Sequence, residues 1–153
     1  MTKPKEVFQD KGPELKDGGS RMTYSTGAMK EDWTKTEGKG RYDLLPVLAI
    51  RRVAEIFRKG AMKYQSWNWA KGIKLSRFMD SGKRHVDQEW EGRIDEDHIA
   101  QACWNFLCYL DTLIRIERGL LPEELDDRPS FGASGDPNYR PAGKGFELNK
   151  KEE

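Results

Sequence analysis

The chain has 153 residues, 36% of them hydrophobic and 35% charged, a length that suits one ordinary domain better than two. Lys+Arg 27 against Asp+Glu 26 leaves a formal net charge of +1, so there is no overall basic field to hold a nucleic-acid backbone, which argues against a general DNA- or RNA-coating role. No run of about 18 apolar residues appears, and the first residues, MTKPKEVFQDKG, are too charged for the apolar middle of a signal peptide, so the expectation is a soluble, cytoplasmic chain with no membrane segment.

Residues 1–40 hold six of the 15 glycines and show no sustained helical or alternating period, which reads as an irregular arm. From Arg41 to Leu120 the pattern is helical. Leu45, Ala49, Val53, Ile56, Phe57, Gly60 and Tyr64 recur at three- and four-residue steps and predict a first helix over about 43–64, with Asp43 as its cap and Pro46 tolerated in its first turn. Residues 65–75, QSWNWAKGIKL, break the period and read as a loop. Ser76 is the expected N-cap of a second helix whose apolar stripe is Leu75, Phe78, Met79, Gly82, Val86 and Trp90, ended by Gly92. A third, longer helix is expected from Asp95, with Ile99, Ala102, Cys103, Phe106, Leu107, Leu110, Leu113 and Ile114 on one face, ending by Gly119 and Pro122. Nothing reads as a strand, and residues 121–153 return to Pro, Gly and charge as an irregular tail.

The fold class is therefore all-α, a bundle of about three core helices per subunit over residues 41–120, flanked by two irregular arms. Cys103 and Cys108 lie five apart and, on a helix, point about 140° from each other, so they neither pair nor form a CxxC clamp and read as small core residues. A core of about 80 residues with no disulfide or zinc needs another staple. Oligomerisation supplies it, and a homodimer or homotetramer is expected.

Chemistry is sought where polar residues border buried faces. Stepping 100° per residue places His85 and Glu89 on the flank of the second-helix stripe and Asp95, His98 and Asn105 along one edge of the third. The window HVDQEWEGRIDEDH, 85–98, contains both histidines of the chain and six carboxylates. A solvated charged turn accounts for any one of these acids, since Asp95, Glu96 and Asp97 are favourable at a helix N-terminus. It does not account for polar groups beside an apolar stripe, which must be paired, hydrogen-bonded or metal-bound. A buried hydrogen-bond network and a Mg2+ or Mn2+ site both satisfy that demand.

The stretches GKGRYDLLP (38–46), KGAMKYQSWNWAKGIKLSRFMDSGKRH (59–85) and EGRIDEDHIAQACWN (91–105) resemble the phage-encoded dATP/dGTP diphosphohydrolase-type domain, grouped with the MazG-like all-α nucleoside triphosphate pyrophosphohydrolases. The resemblance implies hydrolysis of a purine (deoxy)nucleoside triphosphate, dGTP/GTP or dATP, to the monophosphate and pyrophosphate with Mg2+ or Mn2+. It also implies a place in phage nucleotide-pool remodelling or 2-aminoadenine synthesis, in the cytoplasm of the host. The wider superfamily holds its metals with an E-x-x-E helix followed by an E-x-x-D helix, whereas this chain carries His98, Gln101 and Asn105 at the corresponding third-helix positions. Glu89 and Asp95, with His85 and His98 as ligands or as partners that orient carboxylates and water, are the expected metal set, with Glu55, Glu91 and Asp97 in reserve. Water would attack the α-phosphorus while Glu89 or His98 takes its proton. By the same resemblance Lys39, Arg41, Lys63 and Arg84 hold the polyphosphate, Trp67, Asn68 and Trp69 stack on and read the base, and Asn105 joins the substrate-binding set. The alternative from another class is a non-catalytic oligomeric helical adaptor.

Overall fold

The computed structural model describes residues 19–32, 34–35, 40–132 and 136–146. The chain divides into two compact units between Leu45 and Pro46. In the first, strands β1 (Arg21–Thr23) and β2 (Met29–Glu31) pair antiparallel with Arg21 opposite Glu31 and Thr23 opposite Met29. This hairpin corrects the expectation of no strand. Three residues per strand are too few to display a period of two, and closure comes from the turn, where Tyr24 N–H reaches Ala28 O at 2.9 Å and Gly27 N–H reaches Tyr24 O at 2.9 Å. A 3-10 turn follows at Tyr42–Leu44.

The second unit contains helices α1 (Val47–Lys63), α2 (Leu75–Trp90) and α3 (His98–Glu117). The three expected helices are present, but their starts differ for local reasons. α1 begins at Val47, not Asp43, because Leu45 precedes a proline and is held extended at ψ 137°, and Asp43 is occupied by the Arg41 guanidinium. α2 begins at Leu75, and Ser76 is not its cap: its N–H and its Oγ both donate to Asp127, at 2.8 and 2.5 Å, so a carboxylate from the C-terminal segment satisfies the helix start. α3 begins at His98 with Asp97, not Asp95, as the cap, accepting the Ala100 N–H at 3.2 Å while Arg52 of α1 grips the same carboxylate at 2.9 and 2.6 Å. α2 ends as expected at Gly92, whose φ of 80° lets Arg93 N–H bond Gln88 O and Gly92 N–H bond Glu89 O. The loop between α1 and α2 contains a 3-10 turn, Asn68–Lys71, which Arg115 of α3 ties down through Ala70 O at 2.9 Å.

α2 and α3, joined by residues 91–97, turn back on each other. Gly82 sits where a Cβ would fall 2.6 Å from the Phe106 ring, so its hydrogen side chain sets how closely these helices approach. The buried line on α2 is Leu75, Phe78, Gly82 and His85, whereas Val86 and Trp90, expected in the stripe, are exposed, Trp90 by 92%. On α3 the buried set is His98, Ala100, Ala102, Asn105, Cys108, Thr112 and Ile116. Ile99, Cys103, Phe106, Leu107 and Leu110 of the expected core face are exposed, which corrects the assignment of Cys103 to the core and keeps it for Cys108. Burial, with the Asp111 charge adding, pushes the Cys108 thiol up to about 12. No described helix is long and apolar enough to cross a membrane.

Candidate functional site

The head of the α2–α3 hairpin gathers the only two histidines. His85 is in the last turns of α2, and His98 opens α3 with 1% of its surface exposed. Their Nδ1 atoms lie 3.1 Å apart, with ring planes inclined by 33°. His98 Nε2 is 2.9 Å from Oδ1 of Asp95, whose two oxygens also receive Nε and Nη2 of Arg93 at 3.2 and 2.8 Å. An ionised carboxylate only accepts, so the His98 Nε2–H donates to it and only Nδ1 of that ring is left to offer a lone pair. Arg93 first, and the His98 hydrogen bond second, hold the Asp95 carboxyl down at about 2.

Burial pushes the His85 imidazole below its ordinary pKa; the Glu96 charge opposes this, while His98 and Arg84 reinforce it. The shift favours the neutral ring, the form that can bind an ion. Glu96, exposed beside the two buried rings, offers a third donor: one ligand atom from each of His85, Glu96 and His98 fits within a spread of 4.8 Å. Its Oε2 accepts from Gln101 Nε2 at 2.9 Å, one turn into α3. Two imidazoles and one carboxylate suit a divalent ion.

A second feature lies where α1, the 65–73 loop and α3 meet. A cavity of ≈ 730 Å³ is lined by Phe57, Tyr64, Trp67, Asn68, Trp69 and Trp104 among others. Its aromatic rings form a chain, Trp67 to Trp69 at 6.1 Å, Trp69 to Phe57 at 5.9 Å and Phe57 to Trp104 at 5.8 Å, mostly edge to face. Trp67 is held in the left-handed region at φ 64° and is exposed, while Gln65 has φ 147°. Non-glycine residues in such conformations cost about 1–3 kcal/mol each and concentrate where a ligand is gripped. The flat faces here suit a planar, uncharged ring system.

Residues 29–124 match the family described as dATP/dGTP diphosphohydrolase, N-terminal. The chain belongs to this family. The match spans α1, α2 and α3, and with them both histidines, Glu96 and the aromatic cavity. The family's name is that of a hydrolase of purine deoxynucleotides. No curated protein and no solved structure matches the chain.

Within the family's span the residues singled out from sequence fall into separate places. His85, His98 and Asp95 come together at the hairpin head, and Trp67, Asn68 and Trp69 line the cavity. Lys63, the last residue of α1, stands 5.1 Å over the ring of Tyr64 at the cavity edge. Arg84 is exposed on α2 and engages Asp80 at 3.1 Å and Ser81 Oγ at 3.3 Å. Asn105 is buried and donates to Gln101 O at 2.9 Å. Glu89 is exposed one turn beyond His85. Arg41, in the first unit, is paired with Asp43, and Lys39 lies outside the described residues. Of the reserves, Glu55 is bound by Arg58 at 2.8 and 2.5 Å, Asp97 by Arg52, and Glu91 is exposed. Glu96 was read only as one charge of an acidic turn. Its contact with Gln101, five residues on and 2.9 Å away, is off the three- and four-residue steps of helical patterning and gave no signal in the sequence.

Proposed function

We propose that the chain hydrolyses purine (deoxy)nucleoside triphosphates, dATP and dGTP first, to the monophosphate and pyrophosphate with a divalent ion, Mg2+ or Mn2+, held by His85, Glu96 and His98. The observation that carries this reading is the buried Nδ1 pair of His85 and His98 beside Glu96 in a chain of the dATP/dGTP diphosphohydrolase family. When bound, the ion neutralises phosphate charge and lowers the pKa of water. The chain supplies the rest. Trp67 and Trp69 stack on the base and Asn68 reads its edge, at a cavity whose Trp104 wall lies six residues, about 9 Å of helix rise, from His98. Glu89 takes the proton of the attacking water, Asn105 joins the substrate-binding set, and Lys39, Arg41, Lys63 and Arg84 attract the polyphosphate.

In this reading the chain acts as a homodimer or homotetramer, supported by the exposed Ile99, Leu107 and Leu110 of α3. Its product serves phage nucleotide-pool remodelling, 2-aminoadenine synthesis included, in the host cytoplasm. The test is incubation with each of dATP, dGTP, dCTP and dTTP plus Mn2+ or Mg2+. Pyrophosphate and monophosphate from the purines are expected. Release of inorganic phosphate contradicts the reaction, and silence with every nucleotide, the ion being bound, points to the adaptor instead.

A further inference from the structure

We propose that Asp95, clamped by Arg93, is a positioning residue that fixes His98 as an Nδ1 donor, and that the His85–His98–Glu96 cluster so formed takes a transition-metal ion of the Mn2+ to Zn2+ series in preference to Mg2+. This rests on the metal reading above and deepens it, since that reading leaves the ion's class open and the sequence placed Asp95 among the ligands.

Both oxygens of Asp95 are committed: Oδ1 accepts from His98 Nε2 at 2.9 Å and from Arg93 Nε at 3.2 Å, and Oδ2 accepts from Arg93 Nη2 at 2.8 Å. Ligation by Asp95 would break this planar clamp, in which the guanidinium engages both oxygens at once. The arrangement is instead that of a carboxylate behind a ligating histidine, which sets the tautomer and the ring orientation. His98 then has a single nitrogen to give, and it is the one that faces His85.

The spacing of the two nitrogens points the same way. Two imidazole nitrogens bound about 2.0–2.1 Å from one ion, at the 90–109° angles of octahedral or tetrahedral sites, stand about 2.9–3.4 Å apart. The Nδ1 atoms of His85 and His98 are 3.1 Å apart with both rings buried, an N–H···N hydrogen bond in which His85 Nδ1–H donates to the Nδ1 that Asp95 leaves bare on His98, so an ion that replaces this proton meets two nitrogens already at a spacing it can bridge. Two of the three donors are nitrogen. Mg2+ keeps oxygen ligands and much of its water, whereas imidazole suits the later first-row ions.

The experiment is a titration of the full chain with Co2+, followed by its visible spectrum and by competition with Mg2+, Mn2+ and Zn2+. Asp95→Asn, Arg93→Gln and Glu96→Gln are compared with the parent after a check of helical signal. The parent should prefer Co2+ over Mg2+ by at least about a hundredfold. Asp95→Asn should weaken Co2+ about 10- to 100-fold with band positions kept, because the ligands are unchanged. Arg93→Gln should weaken it less and in the same manner, and Glu96→Gln should move the bands. Bands that move in Asp95→Asn make Asp95 a ligand and overturn the positioning role, as does unchanged affinity in that variant. Displacement of Co2+ by equimolar Mg2+ overturns the selectivity. A parent that binds Co2+ as described yet releases no pyrophosphate from any nucleotide leaves this inference standing and defeats the proposed reaction.

Discussion

The two sides of α3 carry opposite chemistry. On the side turned to the rest of the unit, His98, Asn105 and Thr112 recur every seven residues and all are buried, so a seam of polar groups runs where apolar ones would pack more cheaply. On the side turned away, Ile99, Cys103, Leu107 and Leu110 are exposed, and at the hairpin so are Trp90 and Ile94, the latter by 96%. Burying a polar seam costs stability, and leaving an apolar stripe in water forgoes it. The proposed reading gives each side a use: the first holds the histidine cluster, and the second packs against another copy of the chain.

The largest effect should come from the polar side. His98→Ala and His85→Ala are each expected to lower turnover of dGTP by about a thousandfold or more, roughly 4 kcal/mol in the barrier, with helical signal retained. Steady-state rates beside far-ultraviolet circular dichroism check this, and near-parental rates in either variant would put the chemistry elsewhere. Next in size is the cavity. Trp67→Ala should raise KM about tenfold with kcat changed far less, since stacking of a base on an aromatic ring contributes about 1–3 kcal/mol and involves no reacting atom. A fall in kcat at constant KM would contradict a role in holding the base.

The apolar side is tested by assembly. Leu110→Glu places a charge in the exposed stripe and should shift the chain from dimer or tetramer to monomer in light scattering, while a parent that is already monomeric at high concentration would show that nothing covers this face. The smallest effect is one of reactivity. Cys103 is exposed and should alkylate readily in dilute solution, more slowly as concentration rises and copies cover it, whereas Cys108, buried with its thiol pushed up to about 12, should react only after denaturation. Equal rates for the two thiols would erase the distinction between the faces.

The same contrast explains what could be read without coordinates. Periodicity locates three helices because apolar residues at three- and four-residue steps mark them whatever covers them, and the αL glycine at 92 marks a stop. It cannot say which apolar face the chain's own helices cover, so Val86, Trp90 and most of the expected α3 stripe are exposed in the single chain, while His85 enters the core line from its flank. Helix starts failed where a distant partner intervened, as Asp127 does at Ser76 and Arg52 at Asp97. The pairing of His85 with His98 was legible as two polar edges on neighbouring helices. The choice among Asp95, Glu96 and Asp97 was not, because three consecutive carboxylates at a helix start differ only in direction: one meets Arg93, one Gln101 and one Arg52.

The central claim is that the desolvated histidine pair at the hairpin head is the catalytic metal centre. Crystals of the full chain grown with Mn2+ and a non-hydrolysable dGTP analogue, measured for manganese anomalous scattering, test it most directly. The account predicts a peak within bonding distance of Nδ1 of both His85 and His98, with Glu96 turned toward it, Asp95 still held by Arg93 and the guanine ring stacked on the exposed face of Trp67 or Trp69. A peak bound instead by exposed carboxylates such as Glu89 and Glu91, with the two imidazoles still hydrogen-bonded to each other, would contradict it.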